Sequence, residues 1–195
     1  MSSKTLLERA AALLGNGKFE LALGEFVEKY ESKLIVLPIF KTIKLGVYKN
    51  IDQFQGVFNH LKNKISNWAL KLFSKAPISS TEVEIDLVKV SVQELTGKKE
   101  ATCKEICDMA LSPKFGLQFC EPEDALCLRV AYQEQPENEI LFMGMEPIVS
   151  GGGHCLFYAG RSGGVRWLGA SHCGHAGDVW VGSGVFVFRR PRKVS

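Results

Sequence analysis

Three of the four histidines and two of the six cysteines fall between positions 154 and 175. His154 and Cys155 follow Gly151, Gly152 and Gly153, and His172, Cys173 and His175 come after the next apolar run. Thiolate and imidazole are the donors zinc takes in tetrahedral sites. Cys155, Cys173 and His175, with His154 or His172 as a fourth ligand, are therefore a candidate zinc set. On a strand, Cys173 and His175 face one side, whereas His154 and Cys155 face opposite sides, so only one of that pair can join. The close Cys–Cys and His–His spacings of zinc knuckles are missing. Core thiols and loop histidines account for the same residues.

A second chemistry open to these residues is thiol hydrolysis. Cys103 lies near the start of an expected helix, where the dipole lowers a thiol pKa. His154 opens a strand and Asp178 can orient it. This order of cysteine, helix and strand histidine is similar to the papain-like arrangement. Cys103 and Cys107, four apart, fit one buried helix face equally well. A third set is Arg129 in an apolar run, beside Trp167 and Trp180. It reads as a binding contact flanked by a shallow aromatic groove, or as an arginine paired with Glu139 or Glu146 across a sheet. The triple glycine precedes a strand and lacks a following Lys-Ser/Thr, so it reads as a hairpin connection and not a phosphate loop.

The chain has 195 residues and a net charge of +3, with 46% hydrophobic and 23% charged residues, the balance of a globular protein. Charge is uneven, at +6 over residues 1–81 and −3 over residues 82–195. Lys41, Lys44, Lys49, Lys62, Lys64 and Lys71 lie where the single acid is Asp52. Such a stretch supports weak, salt-sensitive nucleic-acid contact, or a solvated helix face. No apolar run reaches the roughly 18 residues of a membrane span. The N-terminus lacks the pattern of a signal peptide, so a cytoplasmic location and reduced thiols are expected.

The elements that must position these residues read as follows. Residues 3–15 and 18–31 form a helical hairpin broken at Asn16-Gly17, and residues 50–74 a long amphipathic helix with a broad apolar stripe from Ile51 to Phe73. Residues 75–81, containing Pro77, form a linker. Residues 82–190 then carry strands near 83–92, 116–120, 125–132, 139–145, 154–159, 165–168, 179–181 and 185–189. Thr102 and Glu105 fit a capping box opening a short helix over 103–111, and residues 191–195 are a basic tail.

Within this second half, Glu84–Val92, Ala101–Ala110, Gly116–Cys120 and Leu126–Tyr132 carry a resemblance, continued at Gln135-Pro136, Met145–Ile148, Trp167-Leu168 and Phe186–Phe188. On these residues the segment from Glu82 to Arg190 resembles a widespread group of uncharacterised bacterial proteins. The resemblance implies a domain starting near Glu82 and no activity; the Cys/His-rich stretch 154–175 departs from the group's pattern. The expectation is an α+β protein, with a helical N-terminal region followed by a small, mostly antiparallel β domain holding one short helix. The expected function is a non-catalytic interaction module for a protein partner or a second copy. A metal-dependent or cysteine-type hydrolase and lysine-mediated nucleic-acid binding are the alternatives.

Overall fold

The run Val83-Glu-Ile-Asp-Leu-Val-Lys-Val-Ser91 is rich in β-branched residues and forms the longest strand of the first half of the sheet. The computed structural model describes residues 21, 34–73, 77–150, 153–173 and 179–192. Residues 36–195 form one compact unit. Apart from Leu21, the expected hairpin over 3–31 lies outside the described residues.

In chain order the elements are β1 (Lys41–Leu45), α1 (Ile51–His60), β2 (Asn63–Ile65), α2 (Asn67–Phe73), β3 (Val83–Ser91), α3 (Val92–Thr96), β4 (Glu100–Thr102) and α4 (Cys103–Leu111). There follow α5 (Pro122–Ala131), β5 (Ile140–Met143), β6 (Ile148–Ser150), β7 (Gly153–Ser162), β8 (Val165–His172), β9 (Val179–Val181) and β10 (Val185–Arg190). One sheet runs β1-β3-β10-β5-β7-β8-β2, with β6 also pairing with β7, and β4 and β9 form a second, two-stranded sheet. The large sheet is mixed, because β10 runs parallel to β5 and β2 parallel to β8. Among the described residues no helix is long and apolar enough to cross a membrane.

This corrects the expected fold class. The described residues are mostly β, a curled mixed sheet with five short helices, and they contain no helical N-terminal region. The expected helix over 50–74 is two short helices separated by β2. Asn50 caps α1 by accepting from the Gln53 N–H, and Lys62, at φ 56°, turns the chain out of the helix. Ser66 starts α2 by accepting from the Ala69 N–H at 3.1 Å. Residues 77–81, expected as linker, run inside the compact unit: the Ser79 N–H donates to Glu123, and the Ser80 carbonyl accepts from Lys49.

The run 125–132, expected as a strand, is helix α5. Pro122 occupies its first turn, and Asp124 accepts from the Glu121 N–H at 3.0 Å. Every residue from Glu123 to Arg129 is buried. The helix touches β1 at one end of the sheet order and β8 near the other, so the sheet curls around it. The expected strand over 116–120 reduces to isolated bridges at Gln118 and Cys120. The short helix over 103–111 forms with the anticipated capping box: Thr102 accepts from Glu105 N, and Glu105 accepts from Thr102 N.

Candidate functional site

Strand register decides where the Cys/His cluster goes. In the β7–β8 hairpin Cys155 stands opposite His172, while the Cys173 N–H donates to the His154 carbonyl at 2.8 Å. Neighbours along a strand point to opposite faces. Cys155 and His172 therefore share one face, with Cys155 Sγ 3.9 Å from His172 Nδ1 and the Trp68 ring against the imidazole at 4.5 Å between centroids. His154 and Cys173 belong to the other face, where they line a pocket of about 520 Å3 with Cys103, Cys107, Asp108 and Glu146. The sheet thus separates Cys155 and His172 from Cys173. His175 and Asp178 lie outside the described residues, and among the described residues no three His, Cys, Asp or Glu side chains are grouped to hold a metal ion.

Cys103 is the first residue of α4, and its thiol is within hydrogen-bonding reach of the Cys107 and Cys173 thiols. Those hydrogen bonds hold the Cys103 thiol well below the ordinary range, against the opposing effect of burial. Cys107 is pushed up correspondingly, by its hydrogen bond to Cys103 and by burial. Cys103 and His154 do meet in one pocket, yet the groups that set the state of Cys103 are sulfur.

The same face of β7 carries a second concavity. Tyr158, Gly160 and Ser162 share the parity of His154 along the strand, so the nearest residues of the two sites, His154 and Tyr158, lie about 14 Å apart at 3.4 Å per residue. Tyr158 and Trp167 line this groove with Gly160, Ile140, Asn138 and Ser66, enclosing about 580 Å3. Trp167 stands opposite Gly160, and Tyr158 opposite Gly169. A Cβ on Gly169 would lie 2.1 Å from Tyr158 Cζ, so this glycine is what lets the phenol ring lie across the sheet. Ile140 is 47% exposed at the groove's edge, and Lys64 sits over the Trp167 ring, 5.3 Å from its centroid.

Gly169→Ala tests that packing. The methyl must displace the Tyr158 ring, and overpacking of this kind costs about 1–3 kcal/mol. Chemical denaturation should register that loss, while Gly163→Ala, in open space at φ 59°, reports backbone strain alone.

No family model, curated protein or solved structure matches the chain.

Of the three binding candidates, Trp167 lies in the groove. Trp180 instead packs in a cluster of rings, 4.3 Å from Phe142 and 5.2 Å from Phe186 between centroids. Arg129 is in α5, not on a strand, and is fully buried, so it is not a surface contact. It donates to the side-chain carbonyl of Gln135, to the Tyr132 carbonyl and, at 3.3 Å, to the Gly160 carbonyl in the groove floor. Gln135 in turn donates to the Ala159 carbonyl at 3.1 Å. Arg129 supports the groove from within. Tyr158 and Ile140, which complete the groove, were missed by sequence reasoning. Their signal was the glycine opposite each of them, Gly169 for Tyr158 and Gly160 for Ile140, which becomes visible only once the register is known.

Three of the six lysines singled out in the sequence are engaged locally. Lys41 pairs with Glu134, Lys44 with Glu82 at 2.6 Å, and Lys49 donates to the Gly46 and Ser80 carbonyls. Arg189 lies in β10, at the end of the strand expected over 185–189, and Arg192, in the expected basic tail, pairs with Asp86 at 2.8 Å.

Proposed function

We propose that the chain is a non-catalytic binding module that takes an apolar side chain of a protein partner into the Tyr158–Trp167 groove. The observation that carries this reading is two aromatic side chains facing an open concavity over a glycine floor, beside an exposed isoleucine. Its volume falls among those of small-ligand and side-chain pockets, roughly 300–1,000 Å3. Tryptophan and tyrosine contribute disproportionately to protein interfaces, because they bury a large rigid area at small entropic cost. Ser66, Asn138 and Ser162 supply polar groups at the rim to orient a backbone.

The test is selection of a random displayed-peptide library against the full chain. Peptides sharing an apolar or aromatic anchor should emerge. Trp167→Ala should weaken them about 30-fold, the equivalent of about 2 kcal/mol for a central anchor, while Trp68→Phe leaves affinity unchanged. A library yielding no binders, or binders indifferent to Trp167→Ala, overturns the proposal. So does concentration-dependent dimerisation abolished by Trp167→Ala, which would make a second copy the occupant.

A further inference from the structure

Three of the six cysteines converge from two separate parts of the chain. Cys103 begins α4, Cys107 lies one turn along it, and Cys173 follows the end of β8. The pairing that brings them together is that of β4 with β9, where Thr102 stands opposite Val179. This fixes the start of α4 beside Val179, six residues beyond Cys173. All three cysteines line one pocket, together with His154. Cys103 is 9% exposed and Cys173 1%, so Cys103 is the more accessible of the two. The remaining cysteines, Cys120, Cys127 and Cys155, are buried.

We propose that Cys103 and Cys173 form a peroxide-reactive dithiol site, with Cys103 as the attacking sulfur and Cys173 as the resolving one. The Cys103 thiolate attacks one oxygen of hydrogen peroxide. The O–O bond breaks and hydroxide leaves, picking up the proton that Cys103 gave to solvent on ionising, so one water forms and Cys103 becomes a sulfenic acid. The Cys173 thiol then attacks the Cys103 sulfur, forming the S–S bond and releasing the hydroxyl with the thiol proton as water. Two thiols lose two electrons, and one peroxide becomes two waters.

Thiol reactivity requires the thiolate. Cys103 has two sources of stabilisation for that form. It occupies the first position of a nine-residue helix, where N–H groups and the dipole favour negative charge. The thiols of Cys107 and Cys173 also lie within reach to donate to it.

Geometry separates the two possible partners. Residues four apart on a helix have Cβ atoms about 5–6 Å apart, with side chains tilted in the same direction. A disulfide needs about 3.5–4.5 Å. Cys107 therefore serves as hydrogen-bond donor to Cys103, and Cys173, arriving from a different element, is the sulfur that can close on it. The bond would tie the start of α4 to the end of β8.

The full-length chain is reduced, exposed to stoichiometric hydrogen peroxide, blocked with an alkylating agent and cut with trypsin. The cuts fall so that Cys103, Cys107 and Cys173 leave in different peptides, Glu100–Lys104, Glu105–Lys114 and Trp167–Arg189. The expected product is Glu100–Lys104 joined to Trp167–Arg189, lighter than their sum by two hydrogens. Cys155→Ser leaves that product in place. Cys173→Ser leaves a sulfenic acid on Cys103 that a cyclic 1,3-diketone captures. In the untreated wild-type chain, Cys103 should alkylate at neutral pH at least about tenfold faster than Cys120 or Cys127. A link between Cys103 and Cys107, oxidation spread evenly over the six thiols, or sulfinic acid on Cys103 with no cross-link would each overturn the assignment. None of these readouts involves the aromatic groove, so the two proposals stand or fall separately.

Discussion

Asp124→Ala is expected to destabilise the protein by about 4–5 kcal/mol, at the top of the range for a single substitution. Asp124 is fully buried and meets Arg189 in a two-point contact, Nε to Oδ2 at 2.6 Å and Nη2 to Oδ1 at 2.8 Å. The pair joins α5 to β10, the central helix to the middle of the sheet. Alanine would leave the Arg189 guanidinium without its counter-ion in a site where its side chain is only 18% exposed. Breaking a buried pair from one side costs about 3–5 kcal/mol, and the remaining exposure of Arg189 argues for the lower half. Loss of the bond from the Glu121 N–H adds a capping penalty of about 1 kcal/mol. The check is a urea denaturation midpoint. The double variant Asp124→Leu, Arg189→Met should recover most of the loss, because no buried charge is then left unpaired. A single Asp124→Ala variant within 1 kcal/mol of wild type, on that same scale, would show that the pair does not hold helix to sheet.

Arg129→Ala is the second large effect, at about 4 kcal/mol, and it reaches the groove. Burial brings the guanidinium pKa down to about 10, with the neighbouring charge of Arg166 adding to the effect, so it remains cationic at neutral pH. Its charge is met by carbonyl oxygens at the end of α5 and by Gln135, where the helix dipole is negative. Removing it strands the Gln135, Tyr132 and Gly160 acceptors, at about 1–3 kcal/mol for each buried group left unsatisfied, and empties a large core volume. Arg129→Lys should also destabilise, by roughly half as much, since a single ammonium cannot reproduce the planar fork. Amide hydrogen exchange should quicken around Gly160 and Trp167 in both variants. If Arg129→Lys matched wild type in stability and exchange, the network would have no part in holding the groove floor.

Local signals were legible wherever a residue acts on its own neighbours. Thr102 and Glu105 announced α4 at the correct residues, and alternating runs separated by glycines located β7, β8, β9 and β10. Gly163 and Gly164 close the β7–β8 hairpin with positive φ at both positions, as a two-residue turn demands. Helix α5 was not legible as a helix. A helix buried on all sides has no polar stripe, and Leu126-Cys-Leu-Arg-Val then imitates a strand. Pro122 followed by two acids was the available signal. The region 50–74 misled for the opposite reason. Phe54 and Phe58 in α1, and Ala69, Leu72 and Phe73 in α2, keep nearly one helical phase across β2, so the break at Lys62 left no mark in the pattern.

The sites followed the same division. Trp167 was visible as an aromatic in a strand. The groove around it depends on Tyr158 meeting Gly169 and on Gly160 lying beside it, pairings set by register. The Cys/His stretch was visible as a cluster in sequence, but strand alternation divides it between two faces. The contact between Cys103 and Cys173 comes from β4 pairing with β9 across most of the second half, which no local pattern encodes.

The most direct test of the binding account is the two-dimensional NMR spectrum of the three tryptophan indole N–H groups, each assigned by Trp→Phe substitution, recorded while a selected peptide is titrated into the full chain. The account predicts that the Trp167 indole signal shifts and saturates with the binding curve, together with the backbone amides of Gly160 and Tyr158, while the Trp68 and Trp180 indoles stay in place. A peptide that binds while the Trp167 signal remains fixed would contradict it and move the recognition surface elsewhere on the protein.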